Sequence, residues 1–83
     1  MTDYILTLRC PNRSGIVAAV AARIARHGGD IHEANQFDDA DTGIFFMRVG
    51  FKMAAPEADF RAGFATEVAS LGLDFALRPA GQR

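Results

Sequence analysis

The chain has 83 residues, 49% of them hydrophobic and 23% charged, with a formal net charge of −1 and one cysteine. That size allows one domain, which buries about 60–65% of its unfolded surface, so the core is thin and partners often complete it. The mixture argues against disorder, the charge against phosphate-driven nucleic-acid binding, the lone cysteine against an internal disulfide, and the lack of any ~20-residue apolar run against a membrane helix.

Tyr4, Leu6, Leu8 and Cys10 alternate with Ile5, Thr7 and Arg9, the period of a first strand with Leu6 and Leu8 on its core face. A polar turn, Pro11 to Gly15, follows, in which Asn12 or Ser14 can cap the next element. Ile16 to His27 is a helix: Ile16, Val17, Val20 and Ile24 fall on one face, Arg23, Arg26 and His27 on the other, and five alanines keep it slim. Gly28-Gly29 ends it. Asp30 to Phe37 mixes apolar and polar residues as an edge strand does. Asp38 to Gly43 reads as an acidic hairpin turn, and Ile44 to Phe51 as the strongest strand. Phe45, Met47, Val49 and Phe51 form one face of it, Ile44, Phe46 and Arg48 the other. Pro56 suits the first turn of a second helix, whose Phe60, Phe64, Val68 and Leu71 lie on one stripe until Gly72. Leu73, Phe75 and Leu77 alternate in a last strand, and Pro79 to Arg83 reads as a tail.

The order β-α-β-β-α-β predicts an α+β, ferredoxin-like fold: a four-stranded antiparallel sheet in order 4-1-3-2 with both helices on one face. Nothing covers the other face, which is expected to carry Ile5, Phe46 and Ile44 beside Thr7, Arg9 and Arg48, and to serve as an interface centred on Phe46 and Arg48.

This fold hosts many activities, so function must come from sites. A metal chaperone of this shape needs a second thiol close to Cys10, and none is present. An acylphosphatase-like anion cradle needs more than Arg13 and Gly15. An RNA-binding face needs stacking aromatics on the first strand, where Ile5 and Thr7 stand instead. His27 and His32 lack further metal ligands at suitable spacing, and Asp38, Asp39 and Asp41 lack the spacing of a calcium loop. No metal and no cofactor is expected.

What remains is the first turn. A strand feeding a helix through Asn12-Arg13-Ser14-Gly15 leaves backbone N–H groups open at a helix N-terminus, which suits a carboxylate. Pro11-Asn-Arg-Ser-Gly-Ile-Val17 resembles the Asp/Asn-Arg-Pro-Gly-Ile/Leu-Val/Leu signature of ACT domains, the amino-acid-sensing modules of metabolic enzymes. More narrowly, Leu8 to Val17 together with Asp41 to Phe51 resembles the N-terminal ACT domain of the formyltetrahydrofolate deformylase family. The turn there is close to Cys-Pro-Asp-Arg-Pro-Gly-Ile-Val and the strand close to Thr-Gly-Arg-Phe-Phe-Met-Arg-Val-Glu-Phe. Ser14 replaces the usual proline, and Gly50 the usual acidic residue.

The resemblance implies a regulatory or assembly domain over residues 1–78, with 79–83 a tail or the start of a linker to a missing catalytic domain. It implies ligand binding at Asn12, Arg13, Ser14, Gly15 and Ile16, a small amino acid as ligand (glycine or methionine first) and a homodimer; a cytoplasmic address is the default expectation for a sequence with neither a membrane helix nor a signal-peptide pattern. The parent reaction would be hydrolysis of 10-formyltetrahydrofolate to formate and tetrahydrofolate, supplying purine and one-carbon metabolism. The family's catalytic asparagine, histidine and aspartate have no counterpart here, so no catalytic residue is assigned. The alternative is a free-standing dimeric ACT protein that senses an amino acid for another enzyme. Neither nucleic acid nor membrane is an expected partner.

Overall fold

In a computed structural model describing residues 2–80 the elements run β1 (Thr2–Pro11), α1 (Ile16–Arg26), β2 (Asp30–Asp39), β3 (Ile44–Met53), α2 (Glu57–Leu71) and β4 (Asp74–Pro79). The strands form one antiparallel sheet in the order β2-β3-β1-β4, which is the expected 4-1-3-2 read from the other edge. Residues 81–83, the end of the expected tail, lie outside the described residues. Pro79 itself closes β4, and the Ala80 N–H donates to the Asp3 carbonyl at 2.8 Å.

The core lies between the sheet and its two helices. Tyr4, Leu6, Leu8 and Cys10 of β1 and Phe45, Met47, Val49, Phe51 and Met53 of β3 are buried against Ile16, Val20 and Ile24 of α1 and Phe60 and Phe64 of α2. Phe60 sits at the centre, its ring centroid 5.6 Å from Phe51 and 5.3 Å from Phe64. Burying each such ring contributes roughly 1.5–3 kcal/mol, and aromatic pairs at this spacing add a little more.

Several local expectations change. Val17 stays 38% exposed, because Ile16 takes the sheet-facing position and the next residue lies about 100° further round the helix. Arg23 and His27 do not lie opposite the core but face α2. Arg23 Nε donates to Glu67 Oε1 at 2.7 Å, and the His27 ring meets Phe60 edge-on at 5.5 Å. The helices approach closely there, since a Cβ on Gly63 would come within 2.7 Å of His27 Nε2. β2 continues to Asp39, so Asp38 and Asp39 belong to the strand, and Gly43 N–H donates back to the Asp39 carbonyl at 2.8 Å across the turn.

β2 carries an irregularity: Ile31 pairs with Phe51 and Glu33 with Gly50, leaving His32 as an extra residue. The bulge reverses the facing of everything after it. Ile31 lies on the helix-covered side, opposite Phe51, while Phe37, six residues on, lies opposite Phe46 on the open side.

Candidate functional site

The β1–α1 turn is held at three points. Asn12 N–H donates to the Gly43 carbonyl at 2.8 Å, Asn12 Nδ2 donates to Asp38 Oδ2 at 3.1 Å, and Arg13 Nη1 donates to the Ser70 carbonyl at 3.2 Å. Asn12 thus ties the turn to the β2–β3 hairpin and Arg13 ties it to α2. Neither residue caps the helix, and nor does Ser14. Gly15 itself is the N-cap, at φ 87°, and no side chain bonds the first turn of α1. This corrects the expected Asn12 or Ser14 cap, because a left-handed residue at that position turns the chain without side-chain help. Only glycine adopts that φ at little cost. A Cβ built on Gly15 would meet nothing within 4 Å, so the approach to the backbone is open.

The N–H groups of the first helical turn have no partner within α1, and their partial positive charge favours an anion. Four of the five expected site residues, Asn12 to Gly15, are exposed; Ile16 is buried, so its contribution is its backbone N–H and its side chain belongs to the core. Cys10, one residue before the turn, is buried. Burial pushes its thiol pKa up, and the Arg13 guanidinium pulls the other way. A neutral, inaccessible thiol is a poor nucleophile and metal ligand.

The open sheet face is the second candidate. Phe46 is 38% exposed and Phe37 63% exposed, with ring centroids 6.2 Å apart. Phe37 was missed from the sequence, since the bulge that turns it outward leaves no mark on the apolar alternation. Arg48 stands in the same face, 3.5 Å from Glu33 Oε2. Ile5, expected to be open here, is only 7% exposed. In register it lies between Gly50 and Arg78, at the end of the face where His32 Nε2 stands 3.5 Å from Asp3 Oδ1. Among the described residues no three His, Cys, Asp or Glu side chains form a group that could hold a metal ion, and no helix is long and apolar enough to cross a membrane.

The family model for the ACT domain matches residues 4–58, which span β1 to the start of α2. The chain belongs to the ACT domain family. Over 83 residues it is 39% identical to a formyltetrahydrofolate deformylase of Corynebacterium sp. (strain P-1), a match covering 96% of this chain and 29% of that protein. A deformylase structure from Pseudomonas putida KT2440 shares 35% identity at a TM-score of 0.90, covering 98% of this chain and 30% of that one. Another, from Burkholderia mallei ATCC 23344, shares 28% identity at a TM-score of 0.93, covering 100% of this chain and 30% of that one. This ACT domain therefore spans about three-tenths of the length of the deformylases it matches.

Proposed function

We propose that this ACT domain regulates and assembles a formyltetrahydrofolate deformylase and binds a small amino acid at its β1–α1 turn. The observation that carries the assignment is the end-to-end superposition of all six elements on a segment of solved deformylases. The parent reaction is hydrolysis of 10-formyltetrahydrofolate to formate and tetrahydrofolate, a step feeding purine and one-carbon metabolism. Its chemistry is carried by residues beyond this chain, in a formyl-hydrolase domain. The domain acts in the cytoplasm and works as a homodimer.

The chain's own contribution is recognition. A ligand carboxylate docks on the N–H groups of Gly15 and Ile16, at the positive end of α1. Because Asn12 Nδ2 already donates to Asp38, its Oδ1 is left to accept a hydrogen bond from the ligand ammonium, and the Asp38 carboxylate adds negative charge beside it. Arg13 is occupied by the Ser70 carbonyl and holds the turn in place, while the Ser14 hydroxyl, exposed beside the glycine, is the remaining polar contact. A ligand that binds one arrangement of the assembled enzyme better than another shifts its activity by that difference in affinity.

Two measurements separate the parts of this reading. Titration calorimetry of the chain with glycine and with methionine is expected to give saturable heat with one of them, lost in Gly15→Val while the circular dichroism spectrum persists. No heat with either ligand from folded protein removes sensing and leaves assembly. Formate release from 10-formyltetrahydrofolate by the product of the complete reading frame tests the parent enzyme, and its absence overturns the deformylase assignment.

A further inference from the structure

The bulge in β2 ties the two candidate sites together. Phe37 and Asp38 are neighbours on this strand, so they point to opposite sides of the sheet. Asp38 lies opposite Phe45 on the helix-covered side, where its carboxylate accepts from Asn12 Nδ2 at 3.1 Å; Phe37 lies opposite Phe46 on the open side. Both placements depend on the extra residue at His32. Were β2 to run without the bulge, with Ile31 still opposite Phe51, Ala34 would face Arg48, Phe37 would face Phe45 and Asp38 would face Ile44. That slip of one residue carries Phe37 to the covered side and takes Asp38 away from Asn12.

Burial fixes neither arrangement. Residues 30–38 are exposed throughout, and a strand with no buried face specifies its register weakly. Phe37, 63% exposed where it stands, favours the unbulged pairing, which sets it beside Phe45. The hairpin accepts both, since residues 40–43 make a loop of four and Asp39 would extend it to five, each an ordinary length. The bulge itself is lightly held. The His32 ring lies over Gly50, where a Cβ would come within 3.0 Å of its Cε1. Its Nε2 stands 3.5 Å from Asp3 Oδ1, a buried atom with no hydrogen bond among the described residues. Glu33 reaches Arg48 only at 3.5 Å. The bond from Asn12 to Asp38 is thus the shortest polar contact described for the side chains of residues 33–38.

We propose that β2 switches between these two registers and that the β1–α1 turn sets the balance, the Asn12–Asp38 bond selecting the bulged register and with it the place of Phe37 on the open face. The proposal deepens the regulatory role proposed above and rests on it for what works the switch. A ligand ammonium beside Asn12 and Asp38 favours the bulged register, because the other withdraws the Asp38 carboxylate. It shifts the balance by that difference in affinity. Occupancy of the turn then decides which side of the sheet carries the Phe37 ring, while the packing of β1, β3 and the helices stays as it is.

Cross-strand disulfides trap each register. Asn35→Cys with Arg48→Cys sets two thiols opposite one another in the bulged register, at the roughly 4.5–5.5 Å Cα spacing a disulfide spans. Ala34→Cys with Arg48→Cys does so only without the bulge, since Ala34 faces the other side of the sheet in the bulged register. All three positions are exposed and Cys10 is buried, so the core is left intact. In glutathione buffer, with closure within one chain read by mass, the Ala34 pair is expected to close about 10- to 1,000-fold more slowly than the Asn35 pair, as for a minor state of roughly 0.1–10%. Asp38→Ala is expected to speed the Ala34 pair about 5-fold, the worth of one hydrogen bond, and to leave the Asn35 pair unchanged. Glu67→Ala, which loosens the helix layer away from β2, is the control, because closure through global unfolding would follow it. An Ala34 pair that never closes overturns the proposal. So does closure that Asp38→Ala leaves unchanged, or that Glu67→Ala speeds as much. Where glycine or methionine gives saturable heat, ten times its dissociation constant is expected to slow the Ala34 pair about 10-fold, and unchanged closure there overturns the link to the ligand. The trapping itself is done without ligand, so absence of heat removes sensing and leaves the register result standing.

Discussion

Along β3, Phe45, Met47, Val49, Phe51 and Met53 are buried beneath the helices, while Phe46, Arg48 and Lys52 stand exposed on the other side of the same strand. The inner set is apolar without exception and every member is held by neighbours of this chain. The outer set mixes an aromatic ring with cations, and its strongest contacts are one long ion pair, Arg48 with Glu33, and a single tilted Phe37–Phe46 pair. One backbone thus carries two kinds of constraint, since burial fixes the inner residues and leaves the outer ones to answer to a partner. The same division separates the two candidate sites from the core, because the β1–α1 turn and the open face hold exposed polar groups while the buried residues are apolar throughout.

The contrast breaks most visibly at Phe60. Its ring is fully buried and touches Phe51, Phe64 and His27, so Phe60→Ala is expected to cost about 3–5 kcal/mol. For a domain whose whole stability is on the order of 4–12 kcal/mol, that removes between about a quarter and all of it and lowers the urea midpoint in proportion. A loss below about 1 kcal/mol would mean that the helix layer is not the fold's main support.

A polar contact on the covered side gives the next largest effect. Arg23 and Glu67 join α1 to α2 at 2.7 Å with side chains only 14% and 15% exposed. Removing one partner leaves the other charge poorly hydrated, so Glu67→Ala is expected to lose about 2 kcal/mol in denaturant unfolding. The Arg9–Asp74 pair on the open face, at 3.2 Å with side chains 64% and 70% exposed, is the control. Asp74→Ala is expected to change stability by less than about 0.5 kcal/mol. Equal losses from the two pairs would erase the distinction between the faces.

The fold was legible because its signals are local and redundant. The alternation of β1 and β3, the Phe60–Phe64–Val68–Leu71 stripe and the glycines at positions 28 and 72 each pointed to the element found, and handedness left one arrangement of them. What was not legible depended on facing. Arg23 looked like a solvent residue because its acidic partner lies 44 positions away on the other helix. Phe37 was given no face, because the bulge at His32 changes parity without changing composition. In the candidate turn, the residue types pointed to Asn12 to Ile16, but the division of labour needed coordinates. Asn12 and Arg13 are bonded to Asp38 and Ser70, and those partners belong to elements that meet the turn only in the folded chain.

The smallest expected effect tests the outer face most closely. Gly50 lies on the open side of β3, where a Cβ would meet His32 Cε1 at 3.0 Å and Glu33 Oε1 at 3.4 Å. Both are ends of side chains, and the His32 ring is 45% exposed, so it can turn away at a cost of a few tenths of a kcal/mol. Against that, replacing glycine in a strand interior recovers about 0.5–1 kcal/mol of chain entropy. Gly50→Ala is therefore expected to be neutral or to stabilise the fold by up to about 0.5 kcal/mol. Measured in the Phe46→Glu background, so that pairing of copies does not contribute, this value isolates the monomer. A loss above about 1 kcal/mol there would show that the His32 and Glu33 side chains are fixed by the fold itself, so that this end of the face is rigid like the covered side.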